Sequence, residues 1–228
     1  MPQAEKRLGF IIQDFEREGI PIGEMLSEAQ LESTGLSDEQ IKKAKEKVFD
    51  NIVECIEVKG YPTESNKNFN ETSVPDIVLF TILPILTAFR SEVRRNLYLQ
   101  RDREIIAEDK KMGGFQEFVG IDIVGPGQRK FVFIIEATNS LVGQAKRKCL
   151  LALKDIGDNN CGGIVYGFVT TAEQWQVIRY DGTTFTQSHH FQVMFQGMKD
   201  RRDIWMKEGA VIVDYINMVL RSGGFAKK

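Results

Sequence analysis

Two acids stand where strands end and chemistry could begin. Asp122 lies between Ile121 and Ile123, so on a strand it faces the side opposite to both. Glu136 follows the apolar run Phe131-Val132-Phe133-Ile134-Ile135. A carboxylate left unpaired after such a run is costly, so Glu136 is hard to dismiss as a chance polar residue. Gly125-Pro126-Gly127 lies between the two acids, and strand, turn and strand fit that interval. On neighbouring strands the pair is expected at one end of the sheet, one cation apart. That arrangement suits a hard divalent ion such as Mg²⁺ or Mn²⁺, which takes oxygen ligands and keeps several waters. The chemistry it implies is metal-assisted hydrolysis.

The elements around this pair change period along the chain. The first 60 residues read as helices. Leu8, Ile11, Ile12 and Phe15 are expected on one helical face. Ser37 and Gln40 fit a capping box ahead of the stripe Ile41, Ala44, Val48, Ile52, Ile56. Residues 60–73 carry Pro, Gly and Asn and read as a linker. A helix is expected from about Asp76 toward Gln100, with a kink at Pro84. Strands are expected at 103–109, 115–124 and 130–138, then a helix over 140–156. A short apolar run at 163–170 suits a buried strand. Asp181-Gly182 marks a hairpin between 174–180 and 183–187. One amphipathic helix over 203–221 closes the chain. The fold class is therefore α/β with a mixed α+β sheet. Residues 1–70 form a helical region and linker, and 71–228 the domain that carries the acids.

With the order of elements in view, Ile121-Asp122, then Ile135-Glu136-Ala137-Thr138, then a helix with Gln144 resembles the motif of the PD-(D/E)XK nuclease superfamily. Similar nuclease-like domains occur in crinkler-type and mobile-element proteins. The resemblance covers about residues 75–221 and implies a restriction-endonuclease-like α-β-β-β-α-β core. It implies metal binding by Asp122, Glu136 and the Ala137 carbonyl. It gives Glu92, on the first core helix, the place of the acid often found there. Gln144 would steady the site or a substrate phosphate.

The departure is Thr138. It stands where the family has a lysine that positions the attacking water and stabilises charge at the phosphate. A cation from the following helix could replace it. Arg147 and Lys148 lie within about 60° of Gln144 around the helix, while Lys146 lies roughly opposite. The spacing of Gln144 to Lys148 also matches the family's Gln-x-x-x-Tyr variant, with Lys for Tyr, so Lys148 is the expected replacement. Arg94 and Arg95 on the first core helix, with Lys146 and Arg147 on the second, are the candidate phosphate contacts.

Two functions follow. One is a metal-dependent phosphodiesterase acting on DNA or RNA. The other is a pseudo-nuclease that binds nucleic acid or protein. A third, weaker reading is a structural subunit whose N-terminal helices dock a protein partner. Glu57-Val58-Lys59 is a literal E-x-K set on a helical stripe and reads as a decoy. His189-His190 reads as a solvated loop.

Composition sets the remaining bounds. Lys+Arg (30) nearly balance Asp+Glu (32) in 228 residues, so any basic surface must be local. Three cysteines with no CxxC argue against a disulfide framework and a zinc site. The apolar stretch at 77–88 contains Pro84 and falls short of the roughly 18 residues of a membrane span. No secretory apolar region opens the chain. An intracellular, reduced protein away from the membrane is expected.

Overall fold

The computed structural model describes residues 3–29, 31, 34–62, 73–93, 95–106, 113–139, 142–160 and 163–225, with backbone alone at 102–106 and 113–116. Short helices α1 (Gln3–Leu8), α2 (Ile12–Phe15) and α3 (Ile22–Ser27) come first. Gly9, at φ +83°, ends α1, so the expected single face is divided and Ile11 stays exposed. Helix α4 (Asp38–Lys59) begins at the capping box: Gln40 N donates to Ser37 Oγ, and Ser37 N donates to Gln40 Oε1 at 2.9 Å. Helix α5 (Ser73–Glu92) runs through Pro84 and stops eight residues before the expected end. It is long and apolar enough to cross a membrane, unlike the shorter span read from the sequence, and 61% of its apolar window is buried inside the protein.

Strands β1 (Leu97–Ile106), β2 (Gly113–Gly125) and β3 (Gln128–Ala137) form the meander. Helix α6 (Val142–Asn159) crosses to β4 (Val165–Thr170), which lies parallel to β3. Strands β5 (Gln174–Tyr180), β6 (Phe185–Gln187) and β7 (Phe191–Gln192) follow. The order across the sheet is β1-β2-β3-β4-β5-β6, with β7 on β5, and every pairing except β3–β4 is antiparallel. The expected closing helix is two, α7 (Arg202–Glu208) and α8 (Val211–Ser222), separated at Gly209-Ala210. The chain is thus a mixed α/β fold around a seven-stranded mixed sheet.

Alternation along the strands sorts the core onto two faces. Phe118, Phe133, Ile135, Phe168 and Val177 pack with α4, α5 and α8. Val119, Ile134, Val165, Val169 and Ile178 pack under α6, together with Leu8, Ile12 and Phe15 from the N-terminal helices. Arg7 pairs with Asp155 of α6, and Ile20 bridges to Ser188 beside β6. Leu8, Ile12 and Phe15 of the N-terminal helices are therefore buried against α6 and the sheet.

Close approach of α6 to the sheet depends on Gly167 in β4. A Cβ there would overlap Cys149 Sγ and lie 2.9 Å from Leu153 Cδ1. Both are backed by a packed core, so Gly167→Ala is expected to destabilise by about 1–3 kcal/mol. A lower urea midpoint with an unchanged m-value would show it.

Candidate functional site

Glu136 is the centre of the polar chemistry on the α6 face. It lies one residue before the end of β3, opposite Val169 of β4, and is 4% exposed. Lys148 reaches down from α6 and places Nζ 2.9 Å from Glu136 Oε2. The other oxygen, Oε1, is buried with no hydrogen-bond partner among the described residues. Burial pushes the carboxyl up to about 7; Lys148 works against this, and the charge of Glu117 adds to it.

Glu117 is the acid that the sequence reading missed. Phe118 pairs with Ile135, and one further step in that register sets Glu117 opposite Glu136 on the same face. Glu117 is itself paired with Arg101, whose Nη2 lies 3.2 Å from Oε1. A signal was present. Residues opposite each other in a hairpin stand at equal distances from its turn, and Pro126-Gly127 is equidistant from Glu117 and Glu136.

By the same rule Asp122 cannot join Glu136. It lies opposite Lys130, six residues back along β3, or about 20 Å at 3.3 Å per residue. It also faces the other side of the sheet. Its carboxylate accepts from Arg95 Nε at 2.8 Å. Arg95 donates in addition to the carbonyls of Leu220, at the end of α8, and Gly223 just beyond it, and lies over the Phe225 ring. Asp122 and Arg95 therefore tie β2 to α8. The expectation of a metal ligand at Asp122 and a phosphate contact at Arg95 is corrected.

The other candidates divide. Glu92 is exposed at the end of α5, a helix packed on the face opposite α6, so it does not join Glu136. Arg94 lies outside the described residues. Gln144 and Arg147 are exposed on α6, on the solvent side shared with Lys148. Lys146 points the other way, as the helical wheel implied. It is 4% exposed, donates to Gln187 Oε1 at 3.2 Å, and lies 3.8 Å from Glu16, while burial lowers its pKa. That burial removes it from the phosphate contacts. Ala137 ends β3 beside Thr170, and Thr138 N donates to the Thr170 carbonyl at 2.9 Å.

Among the described residues no group of three or more His, Cys, Asp or Glu is gathered for a metal. A donor set of two carboxylates, one main-chain carbonyl and water still suits Mg²⁺ or Mn²⁺, which dehydrate reluctantly. The buried, unpartnered Glu136 Oε1 is the observation that fits such an ion. A cavity of about 390 Å³ elsewhere, lined by Asn51, Glu54, Cys55, Val58, Lys59 and Phe80, belongs to the α4–α5 layer and not to this site.

No protein-family model, no curated protein and no solved structure matches this chain.

Proposed function

We propose that the chain is a metal-dependent phosphodiesterase, a nuclease acting on DNA or RNA, with Glu117 and Glu136 as its acid pair. The elements α5-β1-β2-β3-α6-β4 support a restriction-endonuclease-like core of the PD-(D/E)XK kind. The single observation that carries the reading is Glu136: a buried carboxylate, opposite a second acid, with one oxygen on a lysine and one without a partner.

Burial raises the cost of charge on Glu136, so any cation at Oε1 restores the balance. Glu136, Glu117 and the Ala137 carbonyl would hold a Mg²⁺ or Mn²⁺ ion, which when bound would supply Lewis-acid chemistry and lower the pKa of a water. Lys148, with its side chain 44% exposed, takes the role that Thr138 cannot fill. It orients Glu136 and offers its remaining ammonium hydrogens to a phosphate oxygen. Gln144 and Arg147 lie beside it on the exposed side of α6 and contact the flanking phosphates.

A second reading, a pseudo-nuclease that binds nucleic acid or protein without cutting, draws on two facts. Thr138 is neutral, and both acids already carry a cation partner, Arg101 or Lys148.

Incubation with DNA and with RNA in Mn²⁺ tests the proposal. Wild type cleaves, and Glu117→Gln and Glu136→Gln lose about 100- to 1000-fold. Cleavage that survives both substitutions sinks the proposal, and binding without cleavage selects the second reading. Lys148→Ala removes the group that holds the Glu136 pKa down. The acidic limb of the rate profile therefore moves to higher pH, as a pH series on the residual activity reads out.

A further inference from the structure

The row that holds Glu136 does not end there. Glu136 of β3 is opposite Val169 of β4, and Val169 is opposite Gln176 of β5. All three side chains stand on the α6 face. Gln176 is 3% exposed. Its Nε2 donates to the Ser188 carbonyl at 2.8 Å and to Gln187 Oε1 at 3.2 Å, both beyond β5 on the β6 side. The other arm of the amide ends in Oε1. That oxygen is buried and has no partner among the described residues, and the same holds for Glu136 Oε1. Two acceptors in one row, with one strand between them, call for a common donor. Two strand spacings, about 10 Å, are closed by two side chains of this length and one water.

We infer that Gln176 is a positioning residue of this site: with Glu136 it holds one water over Val169, whose two O–H bonds point at Glu136 Oε1 and Gln176 Oε1. The water's own lone pairs stay free. It is held either at rest, as a buried water with polar partners, or as a water carried in by a divalent ion. Assigning it to a hydrolytic centre rests on the phosphodiesterase reading; its place in the row does not. The charged groups around it are Lys148 and Lys146 of α6, Glu117 of β2 and Glu16 of the N-terminal region.

The test is a carboxyl-carbon NMR titration of Glu136, assigned by its loss in Glu136→Gln, with and without Mg²⁺, beside Mn²⁺ affinity measured by calorimetry. Gln176→Leu removes the oxygen, and Gln176→Glu keeps an oxygen but adds charge. Loss of the shared water raises the Glu136 titration by about one pH unit in Gln176→Leu, and Gln176→Glu raises it further. If the water comes with the ion, the metal-free titration of Gln176→Leu is unchanged and Mn²⁺ affinity falls about 10- to 100-fold. Both outcomes support the inference. A moved titration in a protein that binds no Mn²⁺ keeps the water and removes the phosphodiesterase reading. Unchanged titration and unchanged Mn²⁺ affinity in folded Gln176→Leu overturn the inference. If the Leu variant fails to fold, an unmoved Glu136 titration in Gln176→Glu overturns it alone.

Discussion

Asp122→Ala lowers the stability of the protein by about 3–5 kcal/mol without touching the acid pair. The substitution leaves Arg95, whose side chain is 10% exposed, as a buried cation held by carbonyl oxygens at the end of α8 and by the Phe225 ring, with no anion beside it among the described residues. Carbonyl dipoles do not neutralise a guanidinium, and its desolvation is no longer repaid. Arg95→Ala is expected to cost a similar amount, because it strands the Asp122 carboxylate and releases both carbonyls. The double variant is expected to be less than the sum of the two, the mark of a coupled pair. Urea unfolding of the two single variants and the double variant measures this. Single-variant losses under about 1 kcal/mol would place the pair with exposed ion pairs and remove it as the tie between β2 and α8.

The second large effect is a pH dependence owed to Glu136. Its folded pKa of about 7 lies above the ordinary carboxyl value of 4.5. Between those values the folded state binds more protons than the unfolded state, so stability falls as pH rises. The contribution is complete below pH 4.5 and is lost by the time pH has passed 7. It amounts to about 3 kcal/mol, the interval from 4.5 to about 7 at about 1.4 kcal/mol for each pH unit. Glu136→Gln replaces a reluctant carboxylate with a neutral amide of the same shape. The variant is expected to be more stable than wild type at pH 8 and to lack this decline. Thermal or urea unfolding of both proteins from pH 4.5 to 8 shows it. A wild-type stability that rises over this window, with the variant following it, would contradict the burial of Glu136.

Much of this architecture was legible because its signals are local. The capping box of α4, the period change into the meander and the Asp181-Gly182 turn are each written in a few adjacent residues. In that turn Asp181 Oδ1 accepts from Thr183 N and Thr184 N. The meeting of Lys148 with Glu136 was also legible, since helical spacing places Lys148 with Gln144 and away from Lys146. The acid pair was misread for a reason of register. Asp122 and Glu136 look alike as acids near strand ends, but only the distance of each from the turn says what it faces. Two irregularities in β2–β3, at Gly120/Ile121 and Ile123/Gly125, shift the pairing and return it, so the simple count from Pro126-Gly127 holds at Glu117. What no local pattern carried was the tertiary use of Arg95 and Lys146. One is consumed by the end of α8, the other by Gln187 and Glu16, and both partners lie far off in sequence.

Mn²⁺ binding followed by calorimetry in wild type, Glu117→Gln and Asp122→Asn tests the central claim most directly. The opposed pair Glu117 and Glu136 predicts one site in wild type, loss of at least about 10-fold in affinity in Glu117→Gln, and wild-type affinity in Asp122→Asn. Undiminished binding in Glu117→Gln, together with loss in Asp122→Asn, would contradict it.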